Sequence, residues 1–410
     1  MAKHRVAGDG FVPAWVTVID ADRPLPDLAE VAYQRIHALV RVGVDPVGIL
    51  SVDRETAPFD LEAAIAHRLG PELATVRADR GGAGRSGAAG GGVGDRPTVA
   101  VAISTRDRPE ELQSCLDSLG GLATAPDQVV VVDNAPSDDQ TRMVVETWSH
   151  PRIPAVAYVR EPVPGLARAH NTSLDMIETD LVAFTDDDVT VDEHWLGQLV
   201  AGFAAAEITC VTGMIFPAEL ETWSQQWAED NIGFNKGLAP RTFDLGPNRP
   251  DDPLFPFRAG VMGSGANMAF RVPELRRVGG FKETLGAGTP ARGGDDLHAF
   301  HTAVTAGGAV RYQPSAIVFH RHHRTVDGLL RQWHGYGVGL TAYLTSLVID
   351  EPSSLLRLGR QALGGLGWLR SRPGGPSGRG DDGLGSAALR AQMRGMARGP
   401  VGYVQSLRSS

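Results

Sequence analysis

Three consecutive carboxylates, Asp186, Asp187 and Asp188, close the apolar run 181–184 of this 410-residue chain. A run of that length reads as a buried strand, and open α/β sheets bind ligands beyond the carboxyl ends of their strands. On extended backbone Asp186 and Asp188 point one way and Asp187 the other. Two same-side carboxylates make a hard-oxygen site suited to Mg²⁺ or Mn²⁺, which bind few protein ligands and bridge to substrate phosphates. The same residues also suit a solvated turn leading into a helix from Asp192 onward. A second polar cluster, His320-Arg-His-His-Arg324, follows another apolar strand. Neutral imidazole binds Mn²⁺ and the arginines could screen a leaving diphosphate; otherwise the cluster is a solvated basic turn.

The elements that must position these groups show in the spacing. Apolar runs at 99–104, 128–132, 156–160 and 181–185 alternate with helical patterns from Glu110, Thr141 and Leu166, which predicts a parallel sheet with right-handed crossovers. Further strands are expected at 208–216, 268–271, 310–312 and 316–320, with a helix over 296–306. Residues 221–256, rich in Trp, Asn, Pro and Phe, read as an irregular binding region. Polar clusters fall at the strand ends. Asp133 could accept a hydrogen bond from a nucleobase, and backbone near Thr105 could reach base or ribose. The alternatives are a turn at Asp133 and a helix cap at Asp107 before Pro109. Arg168 and Asn171, three apart, share one helix face, where a guanidinium meets either a diphosphate or solvent.

Length and composition allow two or three domains. The expected organisation is a small α+β unit over 1–79, a glycine-rich linker over 80–96, the α/β domain over 97–325, and a helical extension over 326–410 with a Gly/Pro linker near 371–385. A net charge of −9 argues against a nucleic-acid partner. Cys115 and Cys210 sit in apolar settings and read as buried thiols. No secretory signal and no run of 18 apolar residues is visible, so a cytoplasmic location is the default expectation. Residues 355–370, with arginines among leucines, form either a core-facing helix or one in peripheral contact with an anionic membrane.

The ordered motifs Ser-Thr-Arg-Asp-Arg-Pro at 104–109, Val-Val-Asp-Asn at 131–134, Pro-Gly-Leu-Ala-Arg-Ala-His-Asn at 164–171 and Thr-Asp-Asp-Asp at 185–188 resemble the family-2 glycosyltransferases of the GT-A fold. So do the segments 263–270, 279–281 and 293–297; the resemblance covers about 98–323. It implies a GT-A architecture, a Rossmann-like and mostly parallel sheet flanked by helices. It also implies inverting transfer from a UDP-, dTDP- or GDP-sugar with Mn²⁺ or Mg²⁺. By position, Thr105, Asp107 and Asp133 resemble nucleoside contacts, and Arg168 with Asn171 the base or diphosphate contacts. Asp186 and Asp187 fall in the donor-binding element, Asp186, Asp188 and His320 match the metal positions, and Gly265, Ala266 and Asn267 the segment lining the donor sugar. Asp295 and Asp296 match the catalytic pair, with Asp296 as the general base. Three positions depart from the pattern: Ser104 for Pro, His170 for a second Arg, and Asp295 for Glu. Gln332-Trp333 lacks the spacing of the processive synthases, so the expected transfer is non-processive, to a small-molecule, glycan or lipid-linked acceptor. The rival readings are a nucleotidyltransferase, which a glycine-rich, lysine-bearing loop after the first strand would support but residues 105–109 do not supply, and a non-catalytic sugar-nucleotide-binding module.

Overall fold

A computed structural model describes residues 11–54, 59–83, 96–153, 156–360 and 383–409. The N-terminal unit is a three-stranded sheet of β1 (Ala14–Asp20), β2 (Arg35–Val42) and β3 (Asp45–Asp53), backed by α1 (Leu61–Ala83). Alternation along β2 decides what each face meets. Ala38, Val40 and Val42 pack with Leu61, Ile65 and Leu69 of α1. Leu39 packs instead against Met214, Phe216 and Ile317 of the large sheet. His37 stacks on Phe216 with ring centroids 5.2 Å apart, and Arg41 Nη1 donates to Asp192 Oδ2 at 2.8 Å. Helix α1 runs past residue 80 into the expected linker, whose positions 84–95 lie outside the described residues. The two units also meet directly, through an apolar interface with a buried ion pair.

That pair gives a first expectation. Arg41 and Asp192 are both almost fully buried. Removing one partner of a buried pair strands the other charge, so Arg41→Ala should cost about 3–5 kcal/mol in urea unfolding. A loss below about 1 kcal/mol, the range of surface pairs, would show that Asp192 reaches solvent.

The large sheet is built on β4 (Val99–Thr105), β5 (Gln128–Asn134), β6 (Val156–Glu161) and β7 (Leu181–Asp186), all parallel, alternating with α2 (Pro109–Gly120), α3 (Gln140–Thr147) and α4 (Leu166–Met176). These strands are apolar on both faces because helices cover both. Val99, Val101 and Ile103 meet Leu112, Cys115 and Leu116 of α2. Ala100, Ala102 and Val132 meet Ala167 and Leu174 of α4. Register aligns the polar ends: Thr105 lies beside Asp133, and Ser104 beside Asp186.

Beyond β7 the sheet becomes mixed. The chain continues through β8 (Val189–Val191), α5 (Trp195–Ala201), β9 (Ile208–Pro217), α6 (Trp223–Ile232), β10 (Arg241–Phe243), β11 (Asn267–Arg271), α7 (Val272–Arg277), α8 (Asp295–Thr305) and β12 (Ala309–His320). The order is β10-β12-β9-β11-β7-β4-β5-β6, with β11 antiparallel to both its neighbours and β8 paired to β12. The two short strands expected at 310–312 and 316–320 are one strand with a register shift between Gln313 and Ile317. Residues 221–256 are less irregular than expected. They hold α6, started by a capping box in which Thr222 accepts from the Gln225 backbone while the Gln225 side chain reaches back.

Two long helices close the fold, α9 (Val326–Asp350) and α10 (Leu384–Ser409); residues 361–382 lie outside the described residues, and α10 begins inside the stretch expected to be linker. A Cβ at Gly395 would collide with the His334 carbonyl, so glycine sets how closely α9 and α10 approach. The inner face of α10 also holds the loop before α8: Ala291 N donates to Ser406 Oγ at 3.2 Å.

Candidate active site

The parallel strand ends open on a cleft of about 320 Å³ lined by Ser104, Thr105, Arg108, Asn134 and Asp186 to Asp188. Strand β7 stops at Asp186, so strict alternation stops there too, and Asp187 and Asp188 form a turn. Both oxygens of Asp187 are taken, Oδ2 by Thr105 Oγ1 at 2.8 Å and Oδ1 by Arg108 Nη1 at 3.0 Å. Burial pushes Asp187 up to about 6 against the pull of Arg108. Asp187, which also lines the cleft, thus holds Thr105 and Arg108 in place. Arg108 also donates to Asp188 Oδ2 at 3.2 Å. Asp186 is raised well above the ordinary carboxylate range, by burial first and then by Asp188 and Asp187.

Asp188 Oδ1 is buried without a hydrogen-bond partner, and His320 Nε2 lies 3.7 Å from it. What sits between them depends on which nitrogen carries the proton. His320 Nδ1 meets His322 Nδ1 at 3.4 Å, and His322 Nε2 meets Glu229 Oε2 at 3.1 Å. Where the Glu229 carboxylate accepts from His322 Nε2–H, a lone pair is left for His320 at His322 Nδ1. His320 then donates from Nδ1, leaving Nε2 bare and aimed at Asp188. Burial pushes His320 down to about 4, which favours this neutral ring. Phe234 stacks on His322 at 5.7 Å and keeps the relay dry. Two lone-pair atoms facing each other without a proton repel unless a cation lies between them. The donor set, one imidazole nitrogen and one carboxylate oxygen, suits Mn²⁺ or Mg²⁺. Among the described residues no group of three or more ligating side chains is assembled, so Asp186, Asp188 and His320 are not a closed cage.

Other expected residues have different partners. Asp107 does not cap α2; its Oδ1 accepts from Ser137 N at 2.8 Å and Ser137 Oγ at 2.9 Å, tying two loops together. Asp133 is fully buried, accepts from Tyr158 Oη at 3.0 Å, and keeps Oδ1 unpartnered. Its neighbour Asn134 clasps the start of α4, accepting from Gly165 N and donating to Val163 O, both at 2.8 Å. Arg168 and Asn171 do share a face, and both turn to Glu283, at 2.8 and 3.2 Å. Asn171 is further held by the Phe281 backbone in both directions, which makes it an anchor for that loop.

Across the cleft, Asp296 Oδ2 accepts from Gly265 N at 3.0 Å and Oδ1 from Leu297 N at 2.8 Å. A Cβ at Gly265 would crowd the Asp296 side chain. Burial raises Asp296, and the two backbone donors oppose it. Ala266 accepts from Thr185 Oγ1 through its carbonyl at 3.0 Å. Asn267 is fully buried, accepting from Trp195 Nε1 and donating to the Met214 and Ala316 carbonyls. It stitches α5, β9 and β12 together. Asp295 is buried and faces His170 Nδ1 at 3.6 Å. Burial pushes Asp295 up to about 7 and His170 down to about 3. Two departures from the motif pattern, His170 and Asp295, are thus each other's partners.

The sequence assigns no role to Glu229 or Lys236, and His322 and Arg108 appear in it only as members of the 320–324 and 104–109 motifs. Lys236 is pushed down to about 8 by burial, opposed by Asp296, and its Nζ donates to Gly233 O at 2.8 Å. The capping box at Thr222 was the available sign that its segment is ordered.

Residues 100–272 match the family model described as glycosyl transferase family 2. Over that segment, less than half of the chain, the sequence matches a family-2 glycosyltransferase domain. The pre-mycofactocin glycosyltransferase of Mycobacterium tuberculosis is 30% identical over 242 residues, covering 57% of this chain and 44% of that protein. The succinoglycan biosynthesis protein ExoM of Rhizobium meliloti is 27% identical over 226 residues, covering 54% and 65%. The chain therefore spans less than half the length of the first of these relatives. Among solved structures, a mannosyltransferase of Pyrobaculum calidifontis in complex with GDP-Man and Mn²⁺ superposes with a TM-score of 0.48 at 20% identity, over 84% of this chain and 94% of that one. The chain has the expected α/β class, a sheet flanked by helices with an N-terminal α+β unit and a helical C-terminal extension.

Proposed function

We propose that this chain is an inverting, divalent-metal-dependent glycosyltransferase that moves a sugar from a UDP-, dTDP- or GDP-sugar to a hydroxyl or amine acceptor, without processivity. The observation that carries this reading is the buried, unpartnered Asp188 Oδ1 with His320 Nε2 3.7 Å away at the strand ends. Asp188 and His320 would hold Mn²⁺ or Mg²⁺, which when bound neutralises charge growing on the departing nucleoside diphosphate. Arg108, already bridging Asp187 and Asp188, positions the phosphate side of the cleft. The free oxygen of Asp133 suits a nucleobase N–H. Asp296, oriented by Gly265 and Leu297, takes the acceptor's proton as the acceptor oxygen or nitrogen attacks the anomeric carbon and the bond to the diphosphate breaks. Attack opposite the leaving group inverts the centre with no covalent enzyme intermediate.

The test is release of nucleoside diphosphate from a panel of sugar nucleotides with and without Mn²⁺. Mn²⁺-dependent release supports the reading; a panel inert under both conditions in folded protein removes it. The histidine relay makes a narrower expectation. Glu229→Met removes the acceptor that sets the tautomer, so Mn²⁺ affinity in the presence of nucleotide should fall about 10–100-fold. Unchanged affinity would mean His320 is oriented by something other than His322 and Glu229.

A further inference from the structure

Helix α10 has two faces of opposite character. Leu384, Ala388, Gly395, Gly399 and Tyr403 are buried, most of them toward α9. Leu389, Met393, Met396, Val404 and Leu407 are 38–60% exposed. At 3.6 residues per turn these five fall within an arc of about 80°, forming one stripe along the helix. Arg390, Arg394 and Arg398 run in a row beside the stripe, and Arg408 continues it; all four are exposed. None of them is in an ion pair among the described residues, and α10 contains no Asp or Glu. A helix of four arginines and no acid stands out in a chain of net charge −9.

The chemistry of that face chooses its occupant. A second copy packed face to face would bring arginine rows together, and like charges repel. The apolar groups form a convex ridge of flexible Leu, Met and Val rather than a pocket, and arginine stems let guanidinium groups reach outward past an apolar layer. Both properties suit the boundary between lipid headgroups and acyl chains. Among the described residues no helix is long and apolar enough to cross a membrane, so the contact lies along the surface.

We propose that the outer face of α10 docks this protein on an anionic lipid bilayer. The inner face of the same helix holds the loop that leads into Asp295 and Asp296, with Ser406 on Ala291 and Gly402 against the Pro290 carbonyl. Docking therefore brings that end of the cleft to the lipid surface. Resting on the glycosyltransferase reading above, this favours an acceptor held at the bilayer, with its reactive hydroxyl or amine among the headgroups.

Vesicle co-sedimentation of the full chain tests the docking without using activity. The protein should bind phosphatidylglycerol–phosphatidylcholine vesicles, weaken as salt rises, and leave pure phosphatidylcholine vesicles largely unbound. Each arginine near such a surface is worth about a fivefold factor in partitioning, so the triple reversal Arg390→Glu, Arg394→Glu, Arg398→Glu should lose binding more than tenfold. The pair Leu389→Ser, Met393→Ser should lose it comparably through the apolar term. All five positions are exposed, so unfolding midpoints should stay at the parent value. Parent protein that ignores anionic vesicles, or variants that bind like the parent, overturn the proposal. A concentration-dependent dimer lost in Met393→Ser, with no vesicle binding, would assign the face to a second copy instead. Vesicle binding without sugar-nucleotide turnover would keep the docking and remove only the acceptor inference.

Discussion

Asp296→Asn is expected to lower turnover about 10²–10⁴-fold, the range for loss of a general base, while nucleotide affinity stays at the parent level. Asparagine keeps an acceptor for Leu297 N but places an amide against Gly265 N, and it cannot take a proton from the acceptor. A purely capping role predicts a mild effect, because asparagine also caps well. The pH profile separates the two readings further. Burial raises Asp296 from its ordinary value, so the acid limb of the parent's rate should lie higher than that of an unburied aspartate. The sign follows from the protonated acid being unable to accept, and the residual rate of Asp296→Asn should lack this limb. Near-normal turnover in the variant would return Asp296 to a structural cap.

Asp188→Ala is expected to abolish metal-dependent donor binding, with Mn²⁺ affinity falling more than the 10–100-fold expected for an outer partner such as Glu229. The fold should survive, because Asp188 lies in a partly exposed turn and Arg108 retains Asp187. Titration of Mn²⁺ into parent and variant with nucleoside diphosphate present measures this directly. A variant that turns over normally without added divalent ion would show that Asp188 holds no metal.

The parts of the fold legible in the sequence are those where local pattern and tertiary role agree. Residues 99–104 and 128–132 read as buried strands because both faces are covered, and the polar residues that follow them mark the cleft. Helix α4 likewise put Arg168 and Asn171 on one face as spacing required. Partners were not legible. Asp107 and Asn267 look like donor contacts by position, yet Ser137 and the Trp195, Met214 and Ala316 groups claim them. Glu229 and His322 are 93 residues apart, and no local period links them. The N-terminal unit illustrates the same limit. The alternation in β2 shows two unlike faces, but only the folded arrangement shows that Leu39 and Arg41 meet the large sheet.

The strand ends are expected to bind a nucleoside diphosphate through a divalent cation at Asp188 and His320. Unfolding of the parent protein with UDP, dTDP and GDP, each with and without Mn²⁺, tests it most directly. A ligand at a hundred times its dissociation constant should add about 2.7 kcal/mol of stability. One of the three nucleotides should give a shift of that order with Mn²⁺ and little without it. No shift from any nucleotide, or the same shift in the absence of Mn²⁺, would contradict the claim.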